Sequence, residues 1–374
     1  MKFDRSKIQV RPLAERESKS SIEKIAANPD AAPAPFTGDV SVLTRLAGRI
    51  IEARENDRSV IIAYGAHLIK NGLGPVLRRM IEQGFVTHLA TNGAGTIHDW
   101  EFSFQGRSEE DVSRYAREGQ FGIWEETGRY LNLALILGAA QGKGYGESIG
   151  DMICADKLTI PDADDLRAGL MAQLKEPGRT LENAGGLFDL LAFMEKMKLQ
   201  RGDVAIPHPF KRYSVLAAAR SAGVPLTIHP GFGYDIIYTH PFNFGAAIGR
   251  TADVDWLRYV NSVANLEGGV YMSIGSAVMS PMIFEKALSL ARNIARQDRL
   301  RIADFMLVVN DIQRSGDWKW GSGAEPPKHN PAYYLRFCKT FDRMGASEMH
   351  YICADNRNFL TNVYAQLQAM TGGR

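Results

Sequence analysis

Two runs of this sequence, residues 60–62 (Val-Ile-Ile) and 306–309 (Met-Leu-Val-Val), are apolar at every position. Runs without polar alternation are typical of strands that helices cover on both faces of a parallel sheet. The predicted strands lie at 59–64, 86–90, 203–206, 224–228, 269–274, 303–309 and 349–353, and the predicted helices at 40–53, 67–83, 209–222, 256–265, 282–296 and 356–370. Parallel strands need crossover connections, which are usually helices. The alternation therefore predicts an α/β fold with a single large, doubly wound, mostly parallel sheet and helices on both faces.

The first 37 residues differ from the rest of the chain. They are polar and end in the proline-containing run Ala-Ala-Pro-Ala-Pro-Phe at 31–36, which favours extended chain. We expect an N-terminal arm and spacer at 1–37, followed by one α/β domain at 38–374. A disordered tail is the alternative interpretation of the same stretch.

The charge balance excludes several classes of partner. The 44 basic and 42 acidic residues give a net charge of +2, which offers no reason to expect nucleic acid or an anionic membrane as a partner.

The apolar run at 131–140 is much shorter than the roughly 20 residues that a membrane span needs. No apolar segment follows the basic N-terminus, and the three cysteines form no C-x-x-C pair, so we expect a reducing, cytoplasmic location.

Histidines and carboxylates follow several of the predicted strands. The carboxyl ends of parallel strands are where α/β proteins bind ligands, and histidine suits acid–base chemistry because its pKa lies near neutrality. The candidate catalytic residues are His67, His98, Asp99, Asp235 and His240. His229 and Asp355 occupy similar positions. The alternative is that these are ordinary turn residues.

Standard motifs for cofactors and metals are absent from the sequence. The glycine-rich run at 142–146 (Gly-Lys-Gly-Tyr-Gly) fits neither G-x-G-x-x-G nor the P-loop, and no predicted strand precedes it. No H-x-x-x-H or C-x-x-C spacing is present, so no metal site is predicted. A Ser–His–Asp triad is not indicated either, since the chain has no Gly-x-Ser-x-Gly elbow.

Five segments follow one another in the order found in the deoxyhypusine synthase family, which this sequence resembles over most of 39–370. They are 64–72 (Tyr-Gly-Ala-His-Leu-Ile-Lys-Asn-Gly), 91–95 (Thr-Asn-Gly-Ala-Gly) with Asp99, 235–240 (Asp-Ile-Ile-Tyr-Thr-His), 322–324 (Ser-Gly-Ala) with Pro326, and 354–355 (Ala-Asp). The resemblance implies a Rossmann-like fold, NAD as cofactor and a homotetramer that shares active sites between subunits. The residues that it implies for NAD are Thr91, Asn92, Gly93, Gly95, Ser322, Gly323, Ala324 and Asp355.

The sequence departs from this family where the family's chemistry takes place. The family passes the aminobutyl group of spermidine through an imine on a lysine, and continuation without gaps from 322–324 places Tyr334 at that position, with Lys328 too early. The segment 275–281 lacks the family's lysine and histidine, Gly321 replaces an acid, and 97–98 (Ile-His) replaces a pair of glutamates. We therefore expect a polyamine pocket that has lost negative charge.

Two hypotheses of different class follow. The first is an enzyme of this scaffold, with NAD, that acts on a small molecule other than the spermidine and translation-factor pair. The second is a non-catalytic relative that binds a partner or acts as a scaffold. Genuine deoxyhypusine synthase activity, with Lys328 in place of the missing lysine, is a further alternative, and a homo-oligomer is expected by resemblance.

Overall fold

The computed structural model describes residues 3–175 and 183–372. The strands are β1 (Ser18–Ser21), β2 (Val60–Tyr64), β3 (His88–Thr91), β4 (Arg107–Glu110), β5 (Lys157–Ile160), β6 (Gly202–Ala205), β7 (Leu226–Ile228), β8 (Gly269–Ile274), β9 (Phe305–Asp311) and β10 (Glu348–Cys353). The helices are α1 (Ile22–Ile25), α2 (Val40–Glu55), α3 (Ala66–Lys70), α4 (Gly74–Glu82), α5 (Gly93–Gln105), α6 (Val112–Arg117), α7 (Glu125–Ala140), α8 (Tyr145–Ala155), α9 (Ala163–Lys175), α10 (Ala184–Met197), α11 (Val215–Ala222), α12 (Gly245–Ala264), α13 (Met279–Gln297), α14 (Arg336–Asp342) and α15 (Asn356–Thr371).

Six parallel strands form the central sheet in the order β10-β9-β8-β2-β3-β7. From β2 the chain builds outward through β3 and β7, and it then returns to the other side of β2 for β8, β9 and β10. This is the order of doubly wound, Rossmann-like sheets, in which the direction of building reverses between two neighbouring strands. The predicted fold class is confirmed.

The alternation of side chains along β2 shows how the sheet joins two hydrophobic layers. Val60, Ile62 and Tyr64 pack into one core, which also contains side chains of α2, α4 and α15. Ile61 and Ala63 pack into the other, with side chains of α12, α13 and α14. Because both faces are covered, the strand can be apolar at every position.

The longest connection in the sheet lies between β3 and β7 and includes α5 to α11. The strand predicted at 203–206 is β6 here, which pairs antiparallel with β5 in a separate ribbon. Its residues are mostly exposed, so it lacks the cover on both faces that a central strand requires. The single helix predicted at 67–83 is two helices, α3 and α4, separated at Gly72, whose φ of 72° is left-handed.

The N-terminal segment packs along the domain. β1 pairs antiparallel with β4, with Ser20 opposite Ser108. Leu13 and Ile22 are buried in the first hydrophobic core, and the backbone N–H of Leu13 donates to Glu126 (2.6 Å). The division into an arm at 1–37 and a domain at 38–374 stays a prediction. The central part of this segment packs over α5 and β4 as a second layer. None of the helices in the described ranges is both long and apolar enough to cross a membrane.

Candidate active site

A pocket of about 410 Å³ lies beyond the carboxyl ends of β3 and β7, under the N-terminal segment. Its charged and histidine lining residues are Arg16, Lys19, Lys70, His98, Glu101, Glu109, Glu110, Asp111 and Asp235. Two of the predicted catalytic residues, His98 and Asp235, therefore lie in one pocket although 136 positions of sequence separate them. Ala94, inside the 91–95 segment that the resemblance implies for NAD, lines the same pocket.

His98 is held by a chain of hydrogen bonds that fixes which ring nitrogen is free. Its Nδ1 lies 2.7 Å from the hydroxyl of Ser108, and that hydroxyl donates to Oε2 of Glu101 (2.6 Å). A serine hydroxyl has one proton, so Ser108 must accept from His98, and Nδ1 carries the imidazole proton. Nε2 is then the basic nitrogen, and in the described ranges it makes no hydrogen bond.

An arginine of the N-terminal segment stabilises the negative charge of Glu101. Arg16 donates to both carboxylate oxygens at 2.7 Å, and Thr127 donates to Oε1 at 2.9 Å. Both members of this ion pair are buried, Arg16 being 4% and Glu101 0% exposed. Burial alone would raise the pKa of Glu101, but the charge and hydrogen bonds of Arg16 bring it below its ordinary value.

The imidazole of His98 is neutral at physiological pH. Burial lowers its pKa to about 4, because the charged form is poorly solvated there, and the nearby Glu101 opposes this only in part. A neutral ring with a free Nε2 can accept a proton or a hydrogen bond from a molecule in the pocket.

Asp235 also lines the pocket and is only 7% exposed. Its carboxylate accepts the backbone N–H of Gly231 (2.7 Å), and burial raises its pKa to about 6. The carboxylate rests directly against Gly93 at the start of α5, where a Cβ would come within 2.7 Å of it. Gly93 is thus required for the close approach of Asp235 to the amino end of this helix.

The pocket carries a net negative charge. Its charged lining consists of five carboxylates and three cations, and all three cations are in ion pairs: Arg16 with Glu101, Lys19 with Asp111 (3.1 Å) and Lys70 with Glu109 (2.7 Å). Asp235 and Glu110 have no ion-pair partner in the described part of the chain. Burial also raises the pKa of Glu110, which accepts from Trp124 Nε1 (2.9 Å).

This charge differs from the expectation that the pocket had lost its acids. Two of the carboxylates, Glu109 and Glu110, come from β4, and Glu101 comes from the middle of α5. Glu109 and Glu110 follow no strand of the central sheet, and Glu101 lies three residues beyond His98 on the helix after β3.

The other predicted catalytic residues have different surroundings. The carboxylate of Asp99 is buried and accepts from the backbone N–H of Val215 (2.8 Å) and Leu216 (3.3 Å), so it caps α11. His240 is buried beside Glu125, with Nε2 3.4 Å from the carboxylate, and its Nδ1 accepts from the backbone N–H of Phe242 (3.1 Å). His67 is exposed on α3 and is not part of the pocket lining.

The residues predicted to hold NAD do not form one site within this chain. Thr91 donates to the carbonyl of Tyr64 (2.9 Å), Asn92 accepts from the N–H of Gly95 (2.9 Å), and Gly95 packs on Thr91. Gly323 and Ala324 line a groove beside α14, with Ser322 next to them, and Gly321 lies against β10.

Asp355 lies in yet another place. It caps α15 by accepting from the N–H of Arg357 (2.8 Å), and it faces a groove made by residues 26–34 of the N-terminal segment. Three strands separate β3 from β10 in the sheet, and an internal carboxylate, Asp235, already rests on Gly93. The residues predicted for NAD therefore lie at three separate places along the carboxyl edge of the sheet, and we derive no step through NAD.

No sequence motif indicated the residues that support His98. Arg16, Ser108 and Glu101 lie in three separate segments and have no motif spacing. The only local signal is the position of Glu101 three residues after His98, which places both on neighbouring positions of a helix. Within residues 3–175 and 183–372 there is no group of three or more histidine, cysteine, aspartate or glutamate side chains that could hold a metal ion.

Comparisons with known proteins show similarity of fold at low identity. No family model matches the chain, and no curated protein is similar in sequence. Among solved structures, the cyanobacterial arginine dihydrolase ArgZ is 13% identical (TM-score 0.42, over 89% of this chain and 33% of its own). AgrE, solved with ornithine and NAD+, is 14% identical (TM-score 0.44, 89% and 34%). A protein assigned as a deoxyhypusine synthase from Entamoeba histolytica is 13% identical (TM-score 0.36, 88% and 86%).

The chain thus spans about one third of the length of ArgZ and AgrE. At these identities and TM-scores, the likeness assigns the chain to no family and gives it no cofactor or substrate. What the structure establishes is a mostly parallel, Rossmann-like α/β fold with a charged pocket at the carboxyl edge of its sheet.

Proposed function

We propose that this protein is an enzyme that binds a small cationic molecule in the pocket and uses His98 as its general base. The observation that carries the proposal is the free, basic Nε2 of His98 in a pocket that also holds two unpaired carboxylates. A small molecule other than the spermidine and translation-factor pair remains the expected substrate.

The cationic character of the substrate follows from the charges of the pocket. Asp235 and Glu110 are largely buried without a cation, which is unfavourable for an ionised carboxylate. An ammonium group placed between them would supply the missing positive charge. Because the lining carries a net charge of two negatives at neutral pH, a small dication fits better than an anion or a neutral molecule.

The chemical step involves only side chains of this chain. Nε2 of His98 accepts a proton from a group of the bound molecule, and the imidazolium that forms keeps its Nδ1–H bond to Ser108. The carboxylate of Glu101, one hydrogen bond further, stabilises that positive charge. Asp235 and Glu110 orient the substrate so that the proton faces Nε2.

NAD takes no part in this step, and its binding is a separate question. AgrE was solved with NAD+, and the present chain shares its type of fold but not an assembled set of predicted NAD residues. Calorimetric titration of the protein with NAD tests this directly. Binding that Asp355→Ala weakens would restore the predicted dinucleotide site, and the predicted homo-oligomer is tested by light scattering on the purified protein.

The substrate proposal is tested by calorimetry with 1,4-diaminobutane as the probe and butane-1,4-diol as its uncharged counterpart. We expect the diamine to bind and the diol not to bind, and we expect Asp235→Asn and Glu110→Gln to weaken binding at least about tenfold each, about 1.4 kcal/mol. Asp253→Asn, at an exposed carboxylate of α12, is the matched control. Equal binding of the diol, or unchanged binding by both pocket variants, would contradict the proposal.

Catalysis is tested separately from binding. Cationic molecules that bind are incubated with the protein and followed by NMR for chemical change. His98→Asn should abolish the change, and His67→Asn, at an exposed histidine outside the pocket, should leave it intact. Tight binding with no change in any bound compound would favour the alternative of a non-catalytic binding protein.

A further inference from the structure

We propose that Arg16 is a positioning residue that makes His98 a base rather than an acid, by setting the direction of the hydrogen-bond chain between them. The inference rests on the proposed function, since it concerns the same histidine. It assigns a role in the site to the N-terminal segment, which no sequence pattern indicated.

Arg16 and Glu101 form a bidentate ion pair. Both terminal guanidinium nitrogens donate at 2.7 Å, one to each carboxylate oxygen, and both side chains are buried. A bidentate, buried pair of this kind keeps the carboxylate ionised, because removing the arginine would leave a buried charge without compensation.

The charge on Glu101 determines every proton position beyond it. An ionised carboxylate can only accept, so Ser108 must donate to Glu101 and must accept from Nδ1 of His98. The imidazole proton then stays on Nδ1. The lone pair of the ring is on Nε2, the nitrogen that is free to meet a substrate.

Without the arginine the chain would run in the opposite direction. Glu101 would take one proton from solvent and, as a neutral acid, could donate to Ser108. Ser108 would then donate to Nδ1 of His98, and the single imidazole proton would move through solvent from Nδ1 to Nε2. The number of protons on the ring does not change, but Nε2, the nitrogen that faces the pocket, would be a hydrogen-bond donor instead of a base.

The position of Arg16 depends on docking of the N-terminal segment. β1 follows it directly and pairs with β4, the strand that contains Ser108. The guanidinium also lies 5.8 Å from the ring centre of Trp124. The segment that lines this pocket with Arg16 and Lys19 is therefore the same segment that sets the proton position on His98.

The test is 15N NMR of the histidine-labelled protein of residues 1–374, in which protonated and unprotonated ring nitrogens are distinguished by chemical shift. The signals of His98 are assigned by their loss in His98→Asn. We expect the Nδ1–H tautomer in the unmodified protein and in Arg16→Lys, which keeps the positive charge. We expect the Nε2–H tautomer in Arg16→Met.

The outcomes separate this inference from the proposed function. If the unmodified protein has the Nδ1–H tautomer and Arg16→Met keeps it, the role of Arg16 is refuted while His98 stands as the base. If the unmodified protein has the Nε2–H tautomer, both proposals fail. Should Arg16→Met not fold, Ser108→Ala serves instead: it removes the middle of the chain, and an unchanged, single Nδ1–H tautomer would refute the relay.

Discussion

The two sides of the sheet's carboxyl edge contain similar residues but differ in what covers them. Beyond β3 and β7, His98 and Asp235 face a pocket that the N-terminal segment and β4 close from above. Beyond β9 and β10, the predicted loop at 322–324 and Asp355 lie in separate, open grooves. Polar residues after strands are common to both sides, and only the side with a second layer brings them together.

This difference shows what a site needs besides suitable residue types. On the β3 and β7 side, burial lowers the pKa of His98 and raises that of Asp235. On the other side, Asp355 caps a helix and is exposed to solvent. A layer that excludes water is what turns ordinary loop residues into groups with altered protonation.

The largest expected effect compares the buried ion pair of the pocket with an exposed ion pair at the amino end of β10. Arg16→Met should destabilise the protein by about 3–5 kcal/mol, because Glu101 loses its buried partner and must take up a proton that a carboxylate does not hold at pH 7. Arg45→Met, which breaks the exposed pair with Glu348 on β10, should cost at most about 1 kcal/mol. Urea unfolding at pH 7 measures the free energy of unfolding of both variants. Equal losses would contradict the expected difference between a buried and an exposed ion pair.

Two aspartates that cap helices give the next comparison. Asp99→Ala should destabilise the fold by about 2–3 kcal/mol, since the buried N–H groups of Val215 and Leu216 lose their acceptor. Asp355→Ala should cost about 1 kcal/mol, because water can replace the exposed cap of α15. Thermal unfolding distinguishes them, and diamine binding should survive both changes.

A buried histidine on β3 makes stability depend on pH. Burial lowers the pKa of His88 to about 3, with a further contribution from His229. Between pH 6.5 and 3 the unfolded chain therefore binds a proton that the folded chain does not, so stability falls as the pH falls. His88→Gln should reduce the loss between pH 7 and pH 5 by about 2 kcal/mol. A pH profile of stability that His88→Gln leaves unchanged would contradict this effect of burial.

The smallest effect concerns two glycines from the predicted nucleotide loops. Gly93→Ala places a Cβ against the carboxylate of Asp235, so we expect diamine binding about tenfold weaker, about 1.4 kcal/mol. Gly323→Ala meets nothing within 4 Å. It should cost only about 1 kcal/mol of stability through its φ of 71° and leave binding unchanged. Calorimetry on both variants decides whether the Asp235 contact matters.

Much of the fold was predictable because it depends on local pattern. The apolar runs at 60–62 and 306–309 indicated strands buried on both faces, and the helices between them indicated parallel pairing. The antiparallel ribbon of β5 and β6 was not predictable in this way. Its pairing depends on where the long connection between β3 and β7 brings two exposed segments together.

The site was predictable only in part. Position after a strand, or on the helix that follows it, was enough to select Asp235 and His98, which line one pocket; their catalytic role stays a prediction. The same reasoning did not separate Asp99 from His98. Successive residues of a helix point in different directions, and Asp99 therefore contacts α11 and not the pocket. Nor could this reasoning find Arg16, whose role comes from the packing of a distant segment over Glu101.

Contact between His98 and a small cation in this pocket can be followed by one titration. Increasing amounts of 1,4-diaminobutane are added to histidine-labelled protein while the ring nitrogens are followed by 15N NMR. The Nε2 signal of His98 should shift with the same midpoint as calorimetric binding, and the exposed His67 should not shift. A diamine that saturates the protein without moving His98, or that does not bind at all, would contradict the account.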